Sequence, residues 1–166
     1  MQMETPLGPM LAVGDDEALY LLEFKDCCGL QREVDLIQKR TKRSISPGYS
    51  DAIRSIENEL SQYFDGKLLD FETPLFLIGS SFQKGVWKEL QKIPHGETRS
   101  YLQIAAAIGK PTAFRVVAQA NGANQLAVII PCHRVINANG ALGGYAGGLE
   151  RKKWLLNHER KYAARG

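Results

Sequence analysis

The apolar pattern of the chain changes at a Gly-Ser-Ser sequence at residues 79–81, and this change predicts two domains. Before it, the runs "MLAVG" and "LYLLEF" are separated by a Gly-Asp-Asp turn, which is typical of a β-hairpin. Beyond it, apolar residues recur at helical spacing in several segments. We therefore expect an α/β protein of two domains, a small α/β domain over residues 1–79 and a mostly helical domain over residues 80–166.

The first half contains one strong helical pattern, "YSDAIRSIENELSQYF", for which Ser50 or Asp51 is a plausible N-cap and Gly66 a plausible end. The polar, basic stretch at residues 39–46 is predicted to be a loop or the end of a helix. The run "LLDFETPLFLI" that follows the helical pattern predicts a strand. No catalytic motif is visible in this half, so we look for the chemistry in the second.

The second half shows four helical patterns, "SFQKGVWKELQKI", "SYLQIAAAIG", "AFRVVAQAN" and "LERKKWLLNHERK". A short Gly-Lys-Pro turn joins the second to the third, which is the outline of a helix-turn-helix. Arg115 is the only long cation of the third pattern, so this helix is poorly equipped to read bases in the major groove. The run "LAVIIPC", which ends at Pro131-Cys132, predicts a buried strand.

The charge of the chain is divided unevenly between its halves. Residues 1–83 contain 8 Lys and Arg against 14 Asp and Glu, a net charge of −6. Residues 84–166 contain 13 Lys and Arg against 4 Asp and Glu, a net charge of +9. This asymmetry favours an anionic partner for the second half, and nucleic acid is the commonest large one. The alternative is that these basic residues only keep that half soluble.

The three cysteines, Cys27, Cys28 and Cys132, are too few and too oddly spaced to form a disulfide framework. They indicate a reducing compartment, so we expect a cytoplasmic protein. The N-terminal sequence "MQME" lacks the basic and apolar regions of a signal peptide. No apolar run approaches the length of a membrane-spanning helix, so we expect no contact with a membrane.

The sequence "IIPCHRVI" places a thiol, an imidazole and a guanidinium on three successive residues. Three interpretations compete: a nucleophile with its base, a pair of metal ligands, or a small buried residue that is a cysteine. Cys132 and His133 lack the spacing of a zinc site, and the remaining histidines and cysteines do not supply it. A metal site is therefore not favoured, but the other two interpretations stay open.

The nucleophile interpretation requires a base, because a thiol with a pKa of about 8.5 is only slightly ionised at neutral pH. His133 is the natural candidate, although successive residues of a strand point to opposite sides. An irregular backbone after Pro131, or a bridging water, would bring the imidazole and the thiol together. The carboxylate that orients the imidazole is left open among four glutamates of this half: Glu89, Glu97, Glu150 and Glu159.

The chain resembles the O6-alkylguanine–DNA alkyltransferases, also called methylated-DNA–protein-cysteine methyltransferases. The motifs that carry this resemblance are "YFDGKLLDFETPL", "SSFQKGVWKELQKIPHGETRSYLQIAAAIGKP", "ANGAN" and "IIPCHRVINANGALGGYAGGLERKKWLL". "PCHRV" is the most specific of them. The resemblance implies an N-terminal domain with an antiparallel, ribonuclease-H-like sheet and a C-terminal domain with a winged-helix-like helix-turn-helix.

The resemblance also implies direct-reversal DNA repair. The alkyl group of O6-alkylguanine in DNA passes irreversibly to a cysteine, so each molecule acts once and needs no cofactor and no metal. Whether O4-alkylthymine is also accepted is left open. The protein is expected to bind double-stranded DNA as a monomer through the minor groove, with little dependence on sequence, and to flip the damaged base out of the stack.

The resemblance implies a role for each of five residues in the chemistry. Cys132 is the nucleophile, and His133 deprotonates it through a water molecule. Glu159 orients His133; the resemblance thus selects one of the four glutamates that spacing alone leaves open. Asn124 braces the turn before the apolar run, and Tyr101 donates a proton to the departing guanine.

Further residues are implied in binding. The backbone carbonyls of Cys132 and Val135 accept from the exocyclic amine of guanine, and Tyr145 and Ala146 line the pocket. Arg115 fills the gap that the flipped base leaves. The DNA-binding set also includes three other residues: Lys110, Ala113 and Gln119.

Three positions depart from the common family pattern. Gln125 follows Asn124 where proline is usual, Ala118 stands where a glycine is common, and Ala146 replaces a serine of some members. Two rival interpretations remain. One is a catalytically silent relative that binds alkylated DNA, and the other is a helix-turn-helix regulator with an unreactive buried thiol.

Overall fold

The structure is a computed structural model that describes residues 1–163. The chain divides into two compact units, one from Met1 to Ile78 and the other from Gly79 onwards. The first unit combines a small antiparallel sheet with two helices, and the second is mostly helical. The predicted mixed α/β character is confirmed.

The sheet of the first unit has three antiparallel strands in the order β1-β2-β3, which are Gln2–Met3, Met10–Gly14 and Leu19–Phe24. The predicted hairpin is therefore confirmed, with a bulge between Val13 and Gly14. Every residue of β3 except Tyr20 is buried, and four of its side chains belong to the apolar core: Leu19, Leu21, Leu22 and Phe24.

Two helices pack in the first unit, α1 at Leu30–Thr41 and α2 at Asp51–Phe64. The N-cap of α2 is Ser50, whose hydroxyl accepts from the amide of Ile53. Helix α1 was not predicted, because its sequence is largely polar and Ile37 is its only fully buried residue. It begins after Gly29, which adopts the left-handed conformation at φ 91°.

The predicted strand over residues 68–78 is wrong. Only an isolated bridge joins Leu19 to Leu75 in that segment. The carboxylate of Glu59 accepts from the backbone amides of Glu72 and Thr73 at 2.7 and 2.9 Å, so these donors are not available to a ladder. Pro74 has no amide hydrogen to offer.

The second unit begins with three helices that pack on one another: α3 at Ser81–Leu90, α4 at Tyr101–Ala107 and α5 at Phe114–Gly122. The predicted pair of short helices is confirmed. Gly109, at φ 76°, follows the C-cap of α4 and opens the Gly-Lys-Pro turn that the sequence predicted. The Trp87 indole of α3 donates to the Ala120 carbonyl of α5 at 2.8 Å and fixes the two helices together.

The remaining elements complete the second unit. Strands β4, Arg99–Ser100, and β5, Val135–Ile136, form a short parallel pair. The last helix, α6, spans Leu149–Ala163. No helix of residues 1–163 is long and apolar enough to cross a membrane.

Candidate active site

The run "LAVIIPC" is buried, as predicted, but it is not a strand. Between Leu126 and Pro131 the backbone forms successive turns, and Val128 adopts a positive φ of 71°. Cys132 then opens a 3₁₀ turn, Cys132–Arg134, and is only 5% exposed. The backbone is therefore irregular at this point, as it must be if the thiol and the imidazole are to come together.

The side chain of Asn124 holds these turns in place of a strand ladder. Its Oδ1 accepts from the amide of Leu126 at 2.9 Å, and its Nδ2 donates to the carbonyl of Ile130 at 2.8 Å. The Ile130 carbonyl also accepts from the amide of Cys132 at 2.7 Å, so Asn124 adds a second hydrogen bond at the residue that leads into the 3₁₀ turn. The buried amide thus fixes the chain two residues before Cys132, although Gln125 replaces the proline expected there.

His133 and Glu159 form a fully buried pair. His133 Nε2 lies 2.7 Å from Glu159 Oε2, and both side chains are 0% exposed. Although burial raises the pKa of Glu159, the charges and hydrogen bonds of His133 and Arg134 outweigh it and hold that pKa well below its usual range. Of the four glutamates that spacing left open, Glu159 is the one that contacts His133.

Arg134 holds the same carboxylate from the other side, which the sequence analysis did not foresee. Its Nε donates to Glu159 Oε1 at 2.7 Å and one terminal nitrogen donates to Oε2 at 2.9 Å. The other terminal nitrogen donates to the carbonyl of Ile93 at 2.7 Å. This bidentate contact leaves the carboxylate little freedom to rotate, so its orientation toward His133 is fixed.

A cavity of about 620 Å³ opens beside Cys132. Its lining includes Tyr101, Arg115, Cys132, Tyr145 and Ala146. Burial, and next the charge of Cys132, raise the pKa of the Tyr101 phenol, so this group stays protonated and able to donate at neutral pH. The structure thus brings the thiol and a phenolic donor to one pocket.

Other predicted site residues lie outside the lining of this cavity. Val135 is fully buried, and its carbonyl accepts from Lys152 Nζ at 2.7 Å. The carbonyl of Cys132 accepts from the amide of Val135 and from Asn121 Nδ2, the latter at 3.2 Å. Both carbonyls assigned to guanine therefore already accept hydrogen bonds within the protein. Three predicted DNA-binding residues stand at or near α5 but do not line the pocket: Lys110, Ala113 and Gln119.

Three residues of the site escaped the sequence analysis: Asn121, Arg134 and Lys152. Arg134 stood in the quoted motif, but nothing local indicated that it meets residue 159. For Lys152 a signal was present, because it shares the i, i+3, i+4, i+7 spacing of Leu155, Leu156 and Glu159 and so lies on the buried face of α6. Residues 1–163 contain no group of three or more His, Cys, Asp or Glu placed to hold a metal ion.

Comparison with known proteins decides the family. Residues 81–161 match the family model of the 6-O-methylguanine DNA methyltransferase DNA-binding domain. A methylated-DNA–protein-cysteine methyltransferase of Methanosarcina barkeri is 43% identical over 158 residues, covering 95% of this chain and 94% of that protein. The protein of the same name from Mycobacterium tuberculosis is 43% identical over 162 residues, covering 97% and 92%.

The chain belongs to the methylated-DNA–protein-cysteine methyltransferase family. A crystal structure of Mycobacterium tuberculosis OGT in complex with DNA matches with a TM-score of 0.83 and 40% identity, covering 97% of this chain and 92% of that one. The O6-methylguanine-DNA methyltransferase of Pyrococcus kodakaraensis shares the fold with a TM-score of 0.66 at 24% identity, covering 96% of each chain. The match to this methyltransferase family therefore includes both units of the chain.

Proposed function

We propose that this protein repairs alkylated DNA by transferring the alkyl group of O6-alkylguanine to Cys132, once per molecule. The observation that carries the proposal is a single arrangement: Cys132 lines a cavity, and the next residue, His133, is paired with the buried Glu159. Relatives named methylated-DNA–protein-cysteine methyltransferase that match nearly the whole chain support the same reaction.

The proton of the Cys132 thiol leaves through His133. Nε2 of this imidazole is engaged by Glu159, whereas Nδ1 has no hydrogen-bond partner among residues 1–163. Nδ1 is thus the nitrogen that accepts the thiol proton through a water molecule. Glu159 stabilises the resulting imidazolium, and each pKa unit by which this favours the thiolate is worth about 1.4 kcal/mol.

The transfer itself is one displacement. The sulfur of Cys132 forms a bond to the alkyl carbon while the bond from that carbon to O6 of guanine breaks, and the guanine keeps the electron pair. Tyr101 supplies a proton to the departing ring, and the proton held by His133 then returns to the Tyr101 phenolate through water, so the net reaction moves the thiol proton to guanine. The product is a thioether with no leaving group, so the cysteine is not regenerated, and the reaction uses no cofactor.

The DNA is bound as a duplex through the minor groove, with little dependence on sequence, by a monomer in the cytoplasm. Helix α5 presents Arg115, which lines the cavity and is exposed, beside the small exposed Ala118. Small side chains allow the backbone of a helix to approach phosphates, and one arginine at the pocket is placed to replace a flipped base. Lys110, Ala113 and Gln119 contact the backbone of the DNA, and O4-alkylthymine fits the same chemistry.

Cys132→Ser tests the proposal. The variant is expected to lose transfer of a labelled methyl group from an O6-methylguanine oligonucleotide, because a hydroxyl is a far weaker nucleophile than a thiolate. Its affinity for the same duplex, measured by fluorescence anisotropy, should stay within about twofold of the wild type, since the side chain keeps nearly the same size.

Two results would contradict the proposal. Transfer by Cys132→Ser would move the reaction to another residue. A wild-type protein that binds the duplex and never takes up label would behave as a helix-turn-helix regulator or as a catalytically silent alkylated-DNA-binding protein.

A further inference from the structure

Lys152, in the first turns of α6, is fully buried. Its ammonium donates to the carbonyls of Val135 at 2.7 Å, of Gly144 at 3.0 Å and of Leu142. Within residues 1–163 no carboxylate forms an ion pair with it. The positive charge of this buried ammonium is therefore not neutralised by an ion pair.

Burial of an ammonium without a paired carboxylate is energetically unfavourable. A lysine is rarely fully buried without a paired acid, because its charged form loses hydration. Burial lowers the pKa of Lys152 to about 8, while the nearby charge of Cys132 acts in the opposite direction. The side chain is therefore still mostly protonated at neutral pH, and its ammonium lies on the carbonyl of Val135, three residues after Cys132.

The three carbonyls belong to two segments that form the site. Val135 follows the 3₁₀ turn that begins at Cys132, and its β5 strand continues that turn. Leu142 and Gly144 belong to the loop whose residues Gly143, Gly144 and Tyr145 also line the cavity. One ammonium thus joins the segment that follows Cys132 to the glycine-rich loop.

We propose that Lys152 is a positioning residue for the alkyl transfer: it holds the glycine-rich loop to the segment that follows Cys132 and keeps a positive charge at that segment. This inference rests on the proposed function. The positive charge favours the thiolate form of Cys132, which is the form that attacks the alkyl carbon.

The titratable and charged groups around the sulfur come from several elements. Helix α4 contributes Tyr101, α5 contributes Arg115, the 3₁₀ turn contributes His133, and the glycine-rich loop contributes Tyr145. Helix α6 contributes Lys152 and, behind His133, Glu159. We therefore assign a change in the ionisation of Cys132 to Lys152 only if neutral variants at position 152 show the change and the charged Lys152→Arg does not.

Lys152→Met removes the charge and the three donors but keeps the length of the side chain. Lys153→Met is the matched control, because Lys153 is the next residue of the same helix and is exposed. Three quantities are measured for each: the maximal rate constant of methyl transfer from an O6-methylguanine duplex, the dissociation constant of that duplex, and the pH profile of Cys132 alkylation by iodoacetamide. Circular dichroism checks the fold.

We expect Lys152→Met to lower the maximal rate constant by about tenfold or more and to shift the alkylation profile to higher pH. Its dissociation constant should not change, and Lys153→Met should match the wild type throughout. Lys152→Arg should restore the position of the pH profile, because it restores the charge. Lys152→Gln, which keeps N–H donors without the charge, serves as a second neutral variant.

A folded neutral variant with wild-type rate and pH profile would overturn the inference. Loss of folding in both neutral variants would also overturn it, since Lys152 would then serve the fold alone. Failure of the wild type to transfer methyl is a different result, which contradicts the proposed function.

Discussion

Glu159 and Glu33 show how the partners of a shielded carboxyl group decide its pKa. Glu159 is fully buried but meets His133 and Arg134, which keep its pKa well below the usual range. Glu33, in the first turn of α1, is partly buried, and its Oε2 has no hydrogen-bond partner among the described residues. Burial raises the pKa of Glu33 to about 7, and the charge of Arg32 opposes this only in part. The first arrangement suits a catalytic site, whereas the second weakens the fold at neutral pH.

Glu33→Gln is expected to stabilise the protein at pH 8 and to have no effect at pH 4. The folded pKa of Glu33 is raised from 4.5 to about 7, so its stabilising, protonated form is complete below pH 4.5 and is lost as the pH rises through 7. Glutamine imitates the protonated acid at every pH. The gain at pH 8 should be about 1 kcal/mol, because exposure reduces the effect of the shift.

Thermal unfolding at the two pH values measures this difference. Asp35→Asn, exposed on the same helix, controls for the loss of one negative charge. Equal stabilisation by Glu33→Gln at pH 4 and pH 8 would show that Glu33 is not titrating between them.

The boundaries of several elements follow from local sequence signals, whereas other elements depend on contacts with distant residues. The caps at Ser50 and Ser100 were predictable, because each hydroxyl accepts from an amide three residues on. The absence of a strand after α2 was not predictable, since it depends on Glu59, which binds the amides of residues 72 and 73. The prediction of a strand before Cys132 is wrong for a similar reason, because the side chain of Asn124 binds backbone groups of Leu126 and Ile130 and so stabilises turns.

The same distinction applies to the site. Its thiol, imidazole and glutamate are predicted by the resemblance, which the comparisons confirm at the level of the family. Arg134 and Lys152 were missed, because their contacts join residues 25 and 17 positions apart in the chain. Local pattern shows that Lys152 lies on a buried face, but it does not show which carbonyls it meets there.

Helix α5 carries a prediction about DNA. Arg115→Ala should slow repair of an O6-methylguanine duplex by about tenfold or more while changing the reaction with the free O6-methylguanine base by less than about twofold. The reason is that Arg115 is exposed at the mouth of the cavity and is proposed to stabilise the flipped state, which the free base does not need. Single-turnover kinetics on both substrates measure the two effects.

Val116→Ala serves as the matched control, because Val116 is exposed on the same helix, does not line the cavity and has no proposed contact with DNA. An equal loss on duplex and free base in Arg115→Ala would place Arg115 in the chemistry and not in base flipping.

At the scale of the whole molecule, the three thiols are not equivalent. Cys27 lies among acidic residues in the first unit, where burial, and next the charge of Glu23, raise its pKa to about 12. Cys28 is exposed and lies in the same unit. Cys132 alone lines the cavity in the basic half of the chain, next to an imidazole that is paired with a buried acid. This difference supports the proposal that the protein is a reagent consumed at one sulfur.

Intact-protein mass spectrometry with an excess of O6-methylguanine duplex, followed by peptide mapping, tests this directly. The account predicts that every active chain gains one methyl group, that further substrate adds no more, and that the modified peptide contains Cys132. An unchanged mass, more than one methyl group per chain, or a methyl group on Cys27 or Cys28 would contradict it.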